Sequence, residues 1–392
     1  MTRLIVIGAR KTGTSLALVR AALDRQLQVT VISGPNDLLQ GVFPPEVEIV
    51  NLRTDADAVV AWLRDRHPDS GQQLRITTAN DVYARLAAQV ATQLGLPGPD
   101  AAAVARSVSK ANQKALLAES GLPTAKFVEG ALSDLPALWD RLRALRFPVV
   151  VKPAEGSASH GVKRCADADE ARRHAEALAD ELRANRRTGL TDSVIVEEFL
   201  EGAEYCVEYF DGRYVGAMRK LKRRGEGFLE RGYTSELDLD DAALRRLIDA
   251  GAGAIGFAGL SWGPVHLDCI VRDGVPYVIE LNPRIAGSFI CDIVRDGYGF
   301  DIVAALLDKL TGRGVEVPDI FAPRSYAHVE FLLESDPLPW DFSSPGELRN
   351  ADLHITYGPQ RLVHRERRAY IYVRRLFQST TAEKRLHEEA VA

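Results

Sequence analysis

The sequence predicts an α/β unit joined to an α+β unit, and three observations carry that prediction. Aliphatic runs alternate with helical patterns over the first hundred residues. A proline- and glycine-rich break follows, and beyond it stretches of strand character are linked by Asp-Gly turns. At 392 residues the chain exceeds the single-core size of about 250–300 residues, so two or three packed lobes with a cleft between them are expected.

The elements follow in order. Leu4 to Ile7 is an aliphatic run ended by Gly8 and Gly13, a helical pattern covers Ser15 to Arg25, and Val29 to Ile32 completes a βαβ unit. A third strand at Val47 to Val50, a helix at Asp55 to Arg66 and a fourth strand at Leu74 to Thr78 make the first hundred residues a doubly wound domain. The Gly8 to Gly13 turn lacks GxGxxG spacing, so it reads as a tight turn or a wall of a substrate pocket rather than a dinucleotide site. Leu94-Gly-Leu-Pro-Gly-Pro99 marks the break. A helix from Ala102 to Glu119 is expected next, then a helix at Pro136 to Leu145, the strand Val149 to Lys152, a polar helix at Asp169 to Asn185 and the strand Val194 to Glu198. A Glu-Gly turn leads to the strand Tyr205 to Phe210, which turns at Asp211-Gly212, and a second hairpin joins Val265 to Val271 with Tyr277 to Leu281 through Asp273-Gly274. The basic run Arg361 to Arg375 alternates with apolar residues, which suits strands with one wet face.

Composition narrows the function. A net charge of −5 gives no general attraction to nucleic acid or anionic membrane, so any anion must be handled locally. Cys165, Cys206, Cys269 and Cys291 form no CxxC pair, which points away from a zinc site or disulfide framework and toward the cytoplasm. The first apolar run is too short for a signal peptide's core, and no stretch approaches the roughly 20 apolar residues of a spanning helix.

Two segments carry chemistry in their own right. In Phe147-Pro-Val-Val-Val-Lys-Pro153, Lys152 ends a buried strand, and the small-residue loop Gly156, Ser157, Ala158, Ser159 and Gly161 follows at once. One cation and several free N–H groups around a common space make a phosphate cradle, although an ordinary strand-to-helix turn has the same outline. In the second hairpin, alternation places His266 and Asp268 on one face of the first strand and Glu280 and Asn282 on one face of the second. Asp268, Glu280 and Asn282 then offer three hard oxygen ligands of the kind Mg²⁺ takes when phosphates and waters complete its shell. Solvated carboxylates and an Asx turn before Pro283 explain each residue singly, but not the group together. The connector Val194-Ile-Val-Glu-Glu-Phe-Leu-Glu-Gly-Ala-Glu204 is suited to reading an adenine edge, but by itself is only a connector.

In sequence, Ser109-Lys110-Ala-Asn-Gln-Lys114, Val-Val-Val-Lys-Pro, Val-Glu-Glu-Phe-Leu-Glu-Gly-Ala-Glu-Tyr, His-Leu-Asp and Ile-Glu-Leu-Asn-Pro-Arg resemble the ATP-grasp superfamily, and within it carboxylate–amine ligases of the L-amino acid (dipeptide) type. The resemblance covers roughly residues 1–312. It implies a pre-ATP-grasp domain at 1–100, a small lobe at 101–196, a large lobe at 197–315 and a C-terminal lid subdomain at 316–392. It implies ATP and Mg²⁺ as cofactors, with Mn²⁺ as a substitute. Lys110 and Lys152 would contact the phosphates, under a cover containing Gly156, Ser157, Ser159 and Gly161. Glu197 would accept from the adenine amine, Glu198, Phe199 and Leu200 would supply backbone contacts, and Glu204 would hold the ribose. Asp268, Glu280 and Asn282 would bind the metal, and Arg284 would stabilise the acyl phosphate under amine attack. The implied reaction joins a small-molecule carboxylate to an amine, amino acids or peptides, with release of ADP and phosphate; a homodimer is the family's expectation.

Some readings stay open. Asp268 departs from the glutamate that amino acid ligases often carry and matches D-alanine ligases. A carboxylase or purine-pathway step on the same fold, and a nucleotide-binding regulator without turnover, are the alternatives. Met218 to Phe228 resembles in place the family's mobile loop near the acceptor site, and is equally readable as a solvated basic loop. His266 is a substrate contact or a satisfied core histidine, and Arg10, Lys11 and Thr78 to Asp81 are further pocket candidates.

Overall fold

The structure, a computed structural model, describes residues 2–11, 13–35, 37, 39–68, 73–155, 161–184, 192–222, 227–333, 336, 346–349, 353–359 and 367–376. The chain opens with β1 (Arg3–Ile7), α1 (Thr14–Asp24), β2 (Gln28–Ser33), β3 (Glu48–Asn51), α2 (Ala56–Arg66), β4 (Leu74–Thr77), a 3-10 turn at Asp81–Tyr83 and α3 (Ala84–Gln93). The four strands form a parallel sheet in the order β3-β2-β1-β4. Alternation along β1 builds both of its layers: Leu4 and Val6 pack with Leu18 and Val19 of α1, whereas Ile5 and Ile7 pack with Leu63 of α2 and Val90 of α3. The Gly8 turn is filled from within. A Cβ there would lie 1.8 Å from the Tyr83 ring, so the turn is closed by protein packing.

The next unit contains α4 (Ala101–Val108), α5 (Lys110–Glu119), β5 (Phe127–Ala131), α6 (Leu135–Leu142), β6 (Val149–Pro153), β7 (Lys163–Cys165), α7 (Ala168–Ala184) and β8 (Ser193–Glu198). The single helix expected at Ala102 to Glu119 is broken at Ser109, whose backbone is extended (φ −78°, ψ 123°) and whose hydroxyl accepts from Asn112 N–H as an N-cap. The strands form an antiparallel sheet in the order β5-β8-β6-β7. Val149, Val151, Val194 and Val196 pack against Leu138 and Leu142 of α6 and Leu178 of α7, which leaves Lys152 and Glu197 on the opposite face. The expected lobe boundary between residues 196 and 197 falls inside β8; the chain leaves this sheet after Glu198.

The remainder comprises β9 (Ala203–Phe210), β10 (Arg213–Leu221), β11 (Gly232–Thr234), α8 (Asp241–Ala258), β12 (Pro264–Arg272), β13 (Val275–Asn282), α9 (Ile290–Ile293) with a π turn at Val294–Tyr298, α10 (Ile302–Leu310), β14 (Ser325–Leu333), β15 (Gly346–Arg349), β16 (Leu353–Pro359) and β17 (Arg367–Leu376). These nine strands form one sheet in the order β13-β12-β9-β10-β11-β14-β17-β16-β15. The C-terminal strands, in the expected lid subdomain at 316–392, extend the large-lobe sheet through the pairing of β11 with β14. The wet face expected along the basic run is missing where it meets the core. Ile371, Tyr372 and Val373 are all buried, and Phe289 stacks on Tyr372 with ring centroids 5.6 Å apart. No helix among the described residues is long and apolar enough to cross a membrane.

The passage from the small sheet to the large one runs through Gly202, where a Cβ would lie 2.4 Å from the Val271 carbonyl oxygen and 2.8 Å from Ile270. Gly202→Ala is expected to cost about 1–3 kcal/mol through overpacking against backbone. A denaturant midpoint unchanged from the wild type would contradict that close approach.

Candidate active site

Strand register assembles one half of the site. Asp268 lies opposite Glu280 and His266 opposite Asn282, so the three expected metal ligands share a face of β12 and β13. Across β12, Asp268 faces Cys206 and His266 faces Glu208 of β9, and Met218 of β10 lies opposite Cys206, which brings Lys220 to the same face two residues on. The Lys220 ammonium is 2.7 Å from Asp268 and 3.0 Å from Glu230. His266 Nδ1 is 2.5 Å from Glu208, and its Nε2 is 3.5 Å from Asp268. Burial alone would raise the Asp268 carboxyl, but Lys220 and His266 outweigh it and hold the group below the ordinary range. Burial likewise disfavours the Lys220 ammonium, yet Asp268 and Glu230 push it well above its usual value. Ligand atoms of Cys206, His266 and Asp268 lie within 4.8 Å of one another. That trio is already answered by Lys220, and burial holds the Cys206 thiol well up, in its protonated form.

The other half comes from α5 and the small sheet. Lys110 is 3.2 Å from Glu280, and Lys114, fully buried, is 3.1 Å from Glu197. Lys152 Nζ donates to the other Glu197 oxygen at 2.5 Å. Glu197 was expected to accept from an adenine amine. Instead it is 5% exposed with both oxygens on ammonium groups, because its strand register turns it inward beside Lys152. Burial would push Glu197 up, but Lys114 and Lys152 together drive it down to about 2. For Lys114 the balance reverses: burial and the neighbouring Lys152 ammonium pull it below the ordinary lysine value despite Glu197.

The connector is partly committed. Glu198 N–H donates to the Lys126 carbonyl at 2.9 Å and Phe199 N–H to the Pro148 carbonyl at 2.9 Å. The Glu198 carboxylate accepts from Arg146 N–H at 3.0 Å, and the Arg164 guanidinium covers the Phe199 ring at 5.0 Å. Among the described residues the Leu200 N–H has no hydrogen-bond partner. Glu204 accepts from Lys222. Gly161 has φ 68°, a backbone conformation that favours glycine, and a Cβ there would press on the end of the Leu178 side chain at 2.7 Å. Gly156, Ser157 and Ser159 lie outside the described residues.

Arg284 follows Asn282 at the end of β13. Its Nε donates to Asp81, which the first domain presents 203 positions earlier in the chain, and its Nη1 donates to the Ile285 carbonyl at 2.8 Å. Burial disfavours the Asp81 carboxylate and the Arg284 guanidinium alike, and each outweighs that for the other: Asp81 is lowered and Arg284 raised. Of the other pocket candidates, Arg10 donates to Asn80 Oδ1 at 3.3 Å, Thr78 Oγ1 accepts from Asn80 N–H at 3.0 Å, and Lys11 is exposed. Sequence reasoning gave no role to Lys114, Glu208 or Glu230, and placed Lys220 only within the Met218 to Phe228 loop, whereas Lys220 lies in β10 beside Asp268 and Glu230. Lys114, four residues from Lys110 on one helix, carried a usable signal; the others emerge only from register.

The donor set fits a magnesium nucleotide. Asp268 and Glu280 each already hold an ammonium nitrogen, at 2.7 and 3.2 Å, where a divalent cation would be drawn.

Residues 145–292 match the family model of the ATP-grasp domain. The alanine–anticapsin ligase of Bacillus subtilis is 25% identical over 263 residues, covering 62% of this chain and 55% of that protein. The crystal structure of L-amino acid ligase from Bacillus licheniformis aligns with a TM-score of 0.77 at 21% identity, over 99% of this chain and 97% of that one. The biotin carboxylase domain dimer of the Hydrogenobacter thermophilus 2-oxoglutarate carboxylase, in complex with ADP magnesium salt and bicarbonate, aligns with a TM-score of 0.69 at 14% identity, over 95% and 86%. The chain spans 61%, 27% and 55% of the length of three of the curated relatives it matches.

Proposed function

This chain has the ATP-grasp fold and carries an ATP-grasp domain, and from that premise we propose that it is an ATP-dependent carboxylate–amine ligase. It would form an amide bond between amino acids or peptides through an acyl phosphate and release ADP and phosphate. The observation that carries the reading is the shared face of Asp268, Glu280 and Asn282, ended by Arg284 and opposed by Lys110.

Bound Mg·ATP supplies the phosphoryl group that activates the carboxylate. Lys110 and Lys152 hold the phosphates, and Asp268, Glu280 and Asn282 hold Mg²⁺, or Mn²⁺ with the same oxygen set. Leu200 N–H reads the adenine edge, and Glu204 takes the ribose hydroxyls on leaving Lys222. Glu197 acts at one remove by fixing Lys114 and Lys152. Asp81 occupies Arg284 Nε, which aims the remaining guanidinium donors at the reacting carboxylate, where charge develops as the amine attacks. No nucleophilic side chain is required, since positioning and electrostatics dominate phosphoryl transfer.

The test is ADP and phosphate release from Mg·ATP across amino acids offered singly and in pairs. Release that depends on a particular pair is the expected result. Release that needs bicarbonate and no amine, or ATP binding with no turnover for any pair, would overturn the ligase reading.

A further inference from the structure

We propose that Gln113 is a positioning residue that holds the phosphate-binding helix at a set distance from the metal-binding strand; the proposal rests on the ligase reading above. β13 is the edge of the nine-stranded sheet, so among the described residues one side of its backbone has no neighbouring strand. At Leu281, the residue between Glu280 and Asn282, that open edge is met by a side chain. Gln113 Oε1 accepts from Leu281 N–H at 3.0 Å, and Gln113 Nε2 donates to the Leu281 carbonyl at 2.8 Å. A primary amide carries its acceptor and donors side by side, as a peptide unit does, so Gln113 supplies the pairing a tenth strand would have made. Nε2 also donates to the Ser107 carbonyl at the end of α4. The side chain is 2% exposed and reaches across 168 positions of sequence.

The placement of Gln113 gives these bonds their consequence. Lys110, Gln113 and Lys114 stand at i, i+3 and i+4, on one face of α5. Lys110 meets Glu280, Lys114 meets Glu197, and the Lys110 N–H donates to the Ala154 carbonyl at 2.9 Å, just beyond the strand that carries Lys152. When Lys110 turns to phosphate and Glu280 to metal, their ion pair is given up, so it cannot be what holds helix and strand in register during binding. The amide pairing at Leu281 uses none of the groups that bind ligand and survives that exchange. It therefore keeps Glu280 and Asn282 of β13 at the separation from Lys110 and Lys152 that one phosphate–metal unit requires.

The experiment measures binding rather than ligation, so it does not depend on knowing the substrates. Gln113→Met removes the hydrogen bonds at similar volume; Gln113→Glu keeps the acceptor for Leu281 N–H and loses the donors. Mn²⁺ affinity is read by electron paramagnetic resonance in the presence of a saturating non-hydrolysable ATP analogue, and analogue affinity is read separately in chelator. Outer-shell partners of metal ligands typically contribute about 10–100-fold in metal affinity. Gln113→Met is expected to weaken Mn²⁺ by at least the lower end of that range with metal-free nucleotide affinity nearly unchanged, and Gln113→Glu, whose second carboxylate oxygen faces the Leu281 and Ser107 carbonyls, to weaken it by no less. Unchanged Mn²⁺ affinity in a folded variant overturns the proposal. So does an equal loss of Mn²⁺ and metal-free nucleotide affinity that tracks a lowered Tm, the mark of a merely structural residue. If Gln113→Met does not fold, the same comparison is made on Gln113→Glu. A wild-type chain that binds neither Mn²⁺ nor the analogue overturns the ligase reading itself, a result distinct from a wild type that binds both and a variant that matches it.

Discussion

Arg284→Ala is expected to lower kcat for amide formation by roughly 10²–10³-fold while ATP affinity changes little, because the guanidinium acts on charge that develops only in the transition state. The single substitution carries a complication set by its partner. Asp81, its side chain 23% exposed, loses the donor that does most to hold its carboxylate ionised but keeps Arg10 nearby, so the cost is expected below the roughly 3–5 kcal/mol of breaking a fully buried pair. The pair of variants Arg284→Ala and Arg284→Ala/Asp81→Asn separates the effects. The double variant should regain thermal stability and remain as slow as the single one. Steady-state turnover at saturating substrates, with calorimetric ATP binding alongside, checks both. Undiminished ligation in the single variant would remove Arg284 from the chemistry, and recovery of rate in the double variant would show the loss to have been one of folding.

Glu197→Gln should be the most destabilising single change in the site. One carboxylate answers two ammonium groups, Lys152 at 2.5 Å and Lys114 at 3.1 Å, and a neutral amide leaves both buried and uncompensated. The expected loss is roughly 3–5 kcal/mol at neutral pH, with weaker ATP binding as Lys152 loses its anchor. The pH dependence has a definite sign. Folded Glu197 titrates at about 2, below a free glutamate at about 4.3, so between those values the unfolded chain binds more protons than the folded one. The stabilisation is complete above the unfolded value and drains away as pH falls toward 2. Denaturant titrations across that window should show a steep acid loss in the wild type, with this component absent from Glu197→Gln. Parallel curves for the two proteins would mean that the lysines do not hold Glu197 ionised.

The β12–β13 hairpin was legible in the sequence from its Asp-Gly turn, and alternation put Glu280 with Asn282 on one face of β13; the register running from that turn alone would set Asp268 opposite Ile279, and the shift between Asp268 and Cys269, which the sequence does not announce, is what brings Asp268 opposite Glu280. The first domain was legible for a similar reason: a four-residue aliphatic run before a glycine turn has few other uses. What stayed hidden depends on contacts between distant elements. Nothing local to Glu197 tells that two lysines from a helix and a neighbouring strand will take both its oxygens, and nothing near Asp81 points to Arg284. The break at Ser109 was hidden differently. Helical periodicity runs through it, and only the capping preference of serine marks the restart that brings Lys110 and Gln113 onto one helix face. The union of the C-terminal strands with the large sheet rests on the three-residue strand β11, too short to announce its partners.

The reach of Asp81 to Arg284 also bears on how the protein comes into being on the ribosome. The parallel sheet of the first domain is complete by Thr77, and its own layers can close as soon as α3 has emerged. Asp81 must nevertheless wait for about two hundred further residues before Arg284 joins Arg10 of its own domain as a counter-charge. Until then Arg10 alone answers that carboxylate, and burying it is less favourable than in the finished chain, so the early domain has reason to stay undocked while the central sheets are built. Docking then becomes a late step of maturation, and a nascent chain acquires Lys110, Lys152 and the connector before the arginine is locked in place.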